Sequence, residues 1–318
     1  MSSVPNPFQY WYDECNSGTS ASKLKSLPEM PSHIDVELTS VCNFRCQMCP
    51  TGNLSLERPG TFMEWETFER IVDQCEPHGI GIRFIGWGEP MMHPQFFRFL
   101  RYATDALLPT HLNTNGSKIG GEFEQTSLLG LGLDSIKFSF QGTSRESYTE
   151  MRNVDFFEQL FNIIRTFHRR RADRRRPFVS VSTSVTDEHP STIEVFKKRF
   201  APYCDQLSVG STTFDFMDLD AAHHSDRVKA LARAQTLEKR HFDPCPEVFD
   251  KVAIHANGSG HVCCNDYNGE TDLGNIHHDT LEEMWNSDTM TYYREYLAEG
   301  KYNLPNCTNC FNYLGTKL

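Results

Sequence analysis

The sequence predicts an α/β protein: a partial (βα)6 TIM-like barrel with a small C-terminal cysteine-rich domain. Strand and helix patterns alternate about six times between residues 31 and 215, and such alternation implies a parallel sheet. Six units are too few for the usual barrel of eight, so we expect an open one. The segment that follows is polar and helical in pattern, without strand signals, and five of the eleven cysteines lie between residues 245 and 310.

The predicted elements follow one another in regular order. The strands, some of which run into their turns, cover residues 33–39, 80–90, 109–116, 132–142, 178–186 and 205–214. The helices cover 61–75, 93–104, 156–170 and 191–200, and in the first of them apolar residues recur at near-helical spacing. Because the carboxyl ends of parallel strands meet at one edge of the sheet, we expect the functional site at that edge.

Four segments follow from this pattern. Residues 1–30 mix Pro, Ser, Asn and Gly with aromatics and are predicted to be an irregular lead-in. Residues 31–215 form the barrel, and residues 216–244 are polar and helical in pattern, as in a linker. Residues 245–318 form the cysteine-rich domain.

The composition is that of an ordinary globular protein, with 38% hydrophobic and 23% charged residues. A net charge of -11 argues against a nucleic acid partner, and we interpret the basic run at residues 168–176 as the solvated end of a helix. The sequence has no apolar stretch that could span a membrane and no signal peptide pattern, so we expect a cytoplasmic protein with reduced thiols.

Three of the cysteines are crowded into one loop. Cys42, Cys46 and Cys49 have C-x3-C-x2-C spacing just past the first predicted strand. Such tight spacing lets three thiolates hold one face of an iron-sulfur cluster. Zinc is the competing interpretation, but a closed structural zinc site needs four ligands. Three thiols leave one coordination position open.

The segment "CNFRCQMC" resembles the radical S-adenosylmethionine superfamily, whose hallmark is this spacing. One residue departs from the family pattern, since Met48 stands where the family usually has an aromatic residue. The resemblance implies a 4Fe-4S cluster on Cys42, Cys46 and Cys49, with S-adenosylmethionine on the open iron. The bound cofactor would then be cleaved reductively to a 5'-deoxyadenosyl radical.

The segment "GWGEP" at residues 86–90 is similar to the family's GGEP element. The resemblance implies that Glu89 receives the amino group of the methionine moiety, while Gly86 and Gly88 let the backbone approach the cofactor. A carboxylate at a strand end can accept charge-assisted hydrogen bonds from an ammonium group. Taken alone, the same segment would be an ordinary turn.

Further cofactor contacts are implied by position within the family. Ser139 and Gln141 end the fourth strand, where the family often contacts ribose or carboxylate, and Arg152 follows where a carboxylate partner is sometimes found. The alternative is that they are strand-end or surface polar residues. Asn115 lies in "NTNG", which is similar to the family's corresponding strand end, but Asn-Gly is first of all a turn signal.

The second cysteine group is formed by Cys245, Cys263, Cys307 and Cys310, and its count fits either zinc or an iron-sulfur cluster. The surrounding sequence resembles the SPASM/twitch extensions of radical S-adenosylmethionine enzymes, which implies one auxiliary 4Fe-4S cluster. Cys264 is left over beside Cys263. It is either a small buried residue, a ligand in place of Cys263, or a thiol that gives a hydrogen atom to a substrate radical.

The resemblance implies a radical enzyme that abstracts hydrogen from a small polar substrate such as an aminocyclitol or sugar. The result would be oxidation, with the auxiliary cluster accepting an electron, or epimerisation. An electron donor such as flavodoxin or ferredoxin is an expected partner. Modification of a ribosomal peptide or protein is the alternative. A non-catalytic iron-sulfur or scaffold protein is a third possibility, from a different class.

Overall fold

A computed structural model describes residues 5–214, 217, 224–235, 238–239, 243–245, 247–308, 310 and 314–315 of the chain. The strands in these residues are β1 (His33–Val36), β2 (Gly81–Phe84), β3 (Thr110–Thr114), β4 (Ser135–Ser139), β5 (Phe178–Val185), β6 (Gln206–Ser211), β7 (Glu238–Lys239), β8 (Lys251–Ile254), β9 (Gly260–His261) and β10 (Leu314–Gly315). The α-helices are α1 (Gln9–Cys15), α2 (Ser20–Lys25), α3 (Pro50–Asn53), α4 (Trp65–Cys75), α5 (Phe96–Asp105), α6 (Glu122–Gly130), α7 (Arg145–Arg152), α8 (Phe157–Arg171), α9 (Pro190–Phe200), α10 (Asp226–Ala234), α11 (Leu281–Trp285), α12 (Asp288–Ala298) and α13 (Pro305–Thr308).

The first six strands form a parallel sheet in chain order, so that each strand pairs with the next. The sheet is open: β6 and β9 are its two outer strands in the described residues. Helices follow the strands as crossovers, as a parallel sheet requires. The predicted fold class, a partial barrel, is therefore confirmed.

The cysteine-rich region extends this sheet. Strand β8 pairs in parallel with β1, on the side of β1 away from β2, and β9 pairs antiparallel with β8. His33 is in register with both Gly81 of β2 and Lys251 of β8. The C-terminal hairpin thus brings the cysteines near it alongside the first strand of the barrel.

The two faces of the sheet differ in polarity. Apolar residues such as Ile34 and Phe138 lie on the outer face, where the ring of Phe138 contacts Phe167 of α8. Side chains alternate between faces along a strand, so their neighbours lie on the inner face. We call this inner face the lumen and define it by His33, Asp35, Arg83, His111, Lys137 and Lys251.

The N-terminal residues correct the expectation of an irregular lead-in, because they contain α1 and α2. The ring of Phe8 contacts His111, and Trp11 stacks on His33, so this segment closes the lumen at the amino ends of the strands. Helix α2 begins with a capping box formed by Thr19 and Ser22. Aromatic residues buried against the lumen stabilise a short helical segment that local composition did not indicate.

Other elements differ in extent from their predictions. Helix α6 was not predicted, and α4 begins at Trp65 rather than near residue 61. Helix α10 lies in the predicted linker, and several of the linker's other residues are outside the described part of the chain. Among the described helices, none is long and apolar enough to cross a bilayer.

Candidate active site

The three clustered cysteines lie in the loop between β1 and α3. Cys49 is the residue that precedes α3, and its backbone N–H donates to the carbonyl oxygen of Cys46 over 3.2 Å. Burial raises the pKa of the Cys42 thiol to about 12, with further contributions from Glu89, Cys46 and Cys49. The structure therefore brings the three thiols together, half-buried or buried, at the carboxyl edge of the sheet.

Glu89 lies fully inside this edge. Its Oε1 accepts hydrogen bonds from Thr114 Oγ1 at 2.7 Å and from the Met91 N–H at 3.3 Å, and its Oε2 accepts one from the Asn115 N–H at 2.7 Å. Burial raises the pKa of the Glu89 carboxyl, while these hydrogen bonds lower it. The carboxylate is thus fixed in orientation by its own neighbours, beside the cysteine loop.

The glycines of the same turn allow it to lie against the first strand. A Cβ atom on Gly88 would be 2.1 Å from the Thr39 carbonyl oxygen, and one on Gly86 would be 2.6 Å from the Glu37 side chain. The Glu89 N–H donates to the Val41 carbonyl oxygen at 3.0 Å. Only glycine fits such a close approach, and the approach places Glu89 next to Cys42.

Two of the remaining predicted residues contact the cysteines directly. Asn115 Nδ2 lies 3.9 Å from Cys42 Sγ, and Arg152 Nη1 lies 3.6 Å from Cys46 Sγ. Arg152 Nη2 also donates to the Ser139 carbonyl oxygen at 2.9 Å. Its buried Nε has no hydrogen-bond partner among the described residues, which leaves a donor available for a ligand.

Ser139 and Gln141 differ in their surroundings. Ser139 Oγ donates to Asn113 Oδ1 at 3.0 Å, on the lumen side of the sheet. Gln141 is buried and its amide donates to Thr212, just beyond β6. The hydrogen bond of Gln141 therefore leads toward β6, away from the cysteine loop.

The C-terminal cysteines line one cavity. Cys245, Cys263, Cys307 and Cys310 all border it, together with Cys264 and Glu247. Asn265 Nδ2 donates to Cys310 Sγ at 3.2 Å. Burial raises the pKa of Cys263 far above its usual value, and Cys310 and Cys245 contribute to the shift. Five thiols, the four predicted ligands and Cys264, thus border one cavity.

Cys264 also lies beside the lumen. Its sulfur and the carboxylate oxygens of Asp35 and Glu247 all lie within 4.8 Å of one another. Glu247 influences the sulfurs of both Cys263 and Cys264. Lys251, Asp35 and Arg83 further influence Cys264, whereas Cys264 itself, Cys310 and Cys245 influence Cys263. The two adjacent cysteines therefore have different environments.

Two residues that the sequence did not single out hold these regions together. The Trp87 indole donates to the Cys264 carbonyl oxygen at 2.8 Å. Arg58 forms a two-pronged ion pair with Glu37, at 2.9 and 3.0 Å, and also donates to the Tyr267 carbonyl oxygen. Trp87 lies inside the predicted GWGEP motif, so the motif could have indicated it. Arg58 lies in a loop without a recognisable sequence motif, so its role could not be predicted from the sequence.

Residues 36–200, about half of the chain, match the Radical SAM superfamily. The chain belongs to the Radical SAM superfamily. Residues 245–311 match SPASM, an iron-sulfur cluster-binding domain. These domains imply a 4Fe-4S cluster with S-adenosylmethionine, and auxiliary iron-sulfur binding. The residues present fit both groups: three thiols in one loop with the free Arg152 Nε nearby, and four thiols around one cavity.

Curated radical SAM proteins are similar to parts of the chain. An AdoMet-dependent heme synthase of Methanosarcina barkeri is 29% identical over 41% of this chain and 36% of its own length. The subtilosin biosynthesis protein AlbA of Bacillus subtilis is 23% identical over 81% of this chain and 60% of its own. The chain spans about a third of the length of the first curated relatives that it matches.

Solved radical SAM structures share the fold over most of the chain. SuiB of Streptococcus suis, bound to the precursor peptide SuiA, has a TM-score of 0.67 and 15% identity over 97% of this chain and 75% of its own. BtrN, bound to AdoMet and 2-DOIA, has a TM-score of 0.56 and 18% identity over 88% of this chain and 93% of its own.

Proposed function

We propose that this radical SAM enzyme modifies a peptide, and that it replaces a hydrogen atom on a substrate carbon with inversion of configuration. The peptide substrate is supported by the likeness to SuiB, whose solved structure holds a precursor peptide, and to a protein of bacteriocin biosynthesis. A peptide takes the place of the small polar substrate that the sequence resemblance implied. The inversion is supported by one observation, the place of Cys264 beside the lumen.

The residues at the carboxyl edge would bind the cofactors. Cys42, Cys46 and Cys49 would hold the cluster, and Glu89 would accept the amino group of S-adenosylmethionine through its remaining lone pairs. Arg152 offers a buried N–H to a carboxylate, and Ser139 and Asn115 offer polar groups nearby. When bound, these cofactors supply an organic radical that removes a hydrogen atom from a substrate carbon.

Cys264 would return the hydrogen atom from another side. Its sulfur lies near Asp35, which is in the strand β1, whereas the cofactor residues lie at or beyond the carboxyl ends of the strands. The hydrogen atom would be removed at the carboxyl edge of the sheet and returned from deeper in the lumen. The two steps would therefore act on opposite faces of the substrate carbon. The S–H bond of Cys264 breaks as a C–H bond forms. One electron from a flavodoxin- or ferredoxin-type donor and one proton then restore the thiol.

The second cysteine group would hold one auxiliary cluster through Cys245, Cys263, Cys307 and Cys310. Asn265 would donate to the ligand sulfur of Cys310, a contact that orients the ligand and tunes its basicity. Cys310 and Cys245 act on the sulfur of Cys263, whereas the charges that act on Cys264 are those of Glu247, Lys251, Asp35 and Arg83, and this difference supports Cys263 as the ligand. A small-molecule substrate is the second candidate, because the BtrN chain bound to 2-DOIA is matched over 93% of its length.

The test is turnover in deuterated water. The protein is reconstituted without oxygen and supplied with S-adenosylmethionine, a reductant and a pool of short unmodified peptides. The proposal predicts peptides that gain a deuterium atom at a carbon and contain an inverted residue. Cys264→Ala should retain cofactor cleavage and lose that product. A product that has lost two hydrogen atoms, or equal deuterium gain in both proteins, would refute the proposal.

A further inference from the structure

Lys137 lies in the lumen, two residues before the predicted cofactor residue Ser139 on β4 and therefore farther from the carboxyl edge of the sheet. Its neighbour Phe138 points to the outer face and contacts Phe167, so Lys137 points inward. The side chain is half-buried. Its electrostatic neighbours are Arg83, Asp35, Cys264 and Lys251, which come from β2, β1, the segment after β9, and β8.

The carboxylates near Lys137 are already paired with other cations. Asp35 lies 3.3 Å from Arg83 and 3.6 Å from Lys251, and Glu247 lies 2.8 Å from Lys251. In the part of the chain that the structure describes, the ammonium group of Lys137 forms no ion pair and no hydrogen bond. Among the described residues, three cations therefore share this layer of the lumen with two carboxylates.

The histidines beneath this layer do not change that balance. Burial and the nearby Arg83 hold the pKa of both His33 and His111 well below the usual range, so both rings are neutral near pH 7. Burial, with Arg83, also lowers the pKa of Lys137 to about 8. A charged lysine with no partner carries a cost even in a half-buried place, and a ligand anion would reduce that cost.

We propose that Lys137 binds a carboxylate of the substrate in the lumen, beside Cys264. This inference requires the peptide substrate of the proposed function but does not require the proposed inversion reaction. The surplus in the lumen is a single positive charge, which matches a carboxylate better than a more highly charged phosphate. A lysine ammonium also acts as a point charge that one carboxylate satisfies. The peptide would therefore present an acidic side chain next to the reacting carbon.

The binding test needs no turnover. The reconstituted protein is treated with a trace amount of an amine-acylating reagent, and modification of Lys137 and of the exposed Lys198 is compared by mass spectrometry. The probes are glutarate and a short blocked peptide that contains glutamate. Their uncharged matches are glutaramide and the corresponding glutamine peptide. S-adenosylmethionine is tested alone as a further probe.

The proposal predicts that saturating glutarate or the glutamate peptide slows modification of Lys137 by about tenfold, while Lys198 is unaffected. Stronger protection by the peptide would identify a peptide carboxylate, and stronger protection by glutarate a small acid. Equal protection by the uncharged probes, no protection by either acid, or equal protection by S-adenosylmethionine alone would overturn it. If the turnover experiment showed no gain of deuterium by the peptide while the acids still protected Lys137, the proposed reaction would be refuted and the binding role of Lys137 would stand.

A variant pair separates binding from folding. Lys137→Met should weaken binding of the glutamate peptide by about tenfold and leave affinity for S-adenosylmethionine unchanged, whereas Lys198→Met should change neither. The melting temperature of Lys137→Met should be no lower than that of the wild type, since no ion pair is lost. A lower melting temperature with unchanged peptide affinity would show that Lys137 has a structural role and would overturn the inference.

Discussion

The Trp87 indole N–H donates to the Cys264 carbonyl oxygen over 2.8 Å, and this bond joins the turn after β2 to the C-terminal cysteine segment. Trp87 also contacts the ring of Tyr267, three residues beyond Cys264. Glu89, on the same turn, lies beside the first cysteine loop. One short turn therefore contacts both the proposed cofactor site, where hydrogen is removed, and the segment of Cys264, which is proposed to return it.

Trp87→Phe should impair the delivery of hydrogen without impairing cofactor cleavage. The substitution retains the ring but removes the donor, so the Cys264 backbone loses a fixed partner worth about 1 kcal/mol. We expect deuterium gain by the substrate to fall severalfold, while cleavage of S-adenosylmethionine in the absence of substrate is unchanged. If both rates fell together, Trp87 would serve the cofactor rather than Cys264.

Glu89→Gln should weaken S-adenosylmethionine binding by about tenfold or more, because a charge-assisted hydrogen bond to its ammonium group is lost. The amide keeps an acceptor for Thr114. The measurement is equilibrium binding to the iron-loaded protein. Glu124→Gln, at a half-buried helical position, is the matched control. Unchanged affinity in Glu89→Gln would remove Glu89 from the cofactor site.

Gly88→Ala should destabilise the turn after β2, so its first effect should be on folding and iron binding rather than on catalysis. The added methyl would meet the Thr39 carbonyl oxygen at 2.1 Å, a distance that the rigid strand end cannot accommodate. We expect poorer iron incorporation and a lower melting temperature. Gly120→Ala is the control, since nothing lies within 4 Å of its added methyl. A fully iron-loaded Gly88→Ala with normal stability would contradict the geometry.

The pH dependence of Lys137 follows from its surroundings. Its pKa is about 8 in the folded chain, against about 10.4 for an unperturbed lysine, so the unfolded chain binds more protons between these values. Stability should therefore rise with pH across this window as the cost of the buried charge disappears. The charges that face Lys137 are Arg83, Lys251 and Asp35, with the Cys264 thiol.

The corresponding measurement compares melting temperatures of wild type and Lys137→Met at intervals between pH 7 and 10. The variant should be the more stable protein near pH 7, and the difference should shrink as pH rises through about 8. A pH-independent difference would show that Lys137 is not a charged, unpaired group. Lys198→Met is the control and should follow the wild type.

The sequence predicted those parts of the site that form contiguous patterns. The cysteine loop and the GWGEP turn combine residue type, spacing and position at a strand end, and the structure brings them together. Asn115, in a segment that first of all signals a turn, contacts Cys42. Gln141, at a predicted strand end, has its amide bonded to Thr212. A strand end fixes where a residue lies, but not which neighbour its side chain meets.

The remaining features depend on contacts between distant segments. The lumen layer of Asp35, Arg83, Lys137 and Lys251 draws one residue from each of four strands, and no local spacing reveals it. The pairing of β8 with β1 joins residues more than two hundred positions apart. Helix α1 is stabilised by rings that close the lumen, so its own residues gave little signal.

The most direct test of the account is the iron and sulfide content of four anaerobically reconstituted proteins. Wild type and Cys264→Ala should each bind about eight irons, and both Cys263→Ala and the Cys42/Cys46/Cys49→Ala variant about four. This result would support two independent clusters and leave Cys264 free as a thiol. Loss of iron from Cys264→Ala equal to that from Cys263→Ala would make Cys264 a ligand and contradict its role as hydrogen donor.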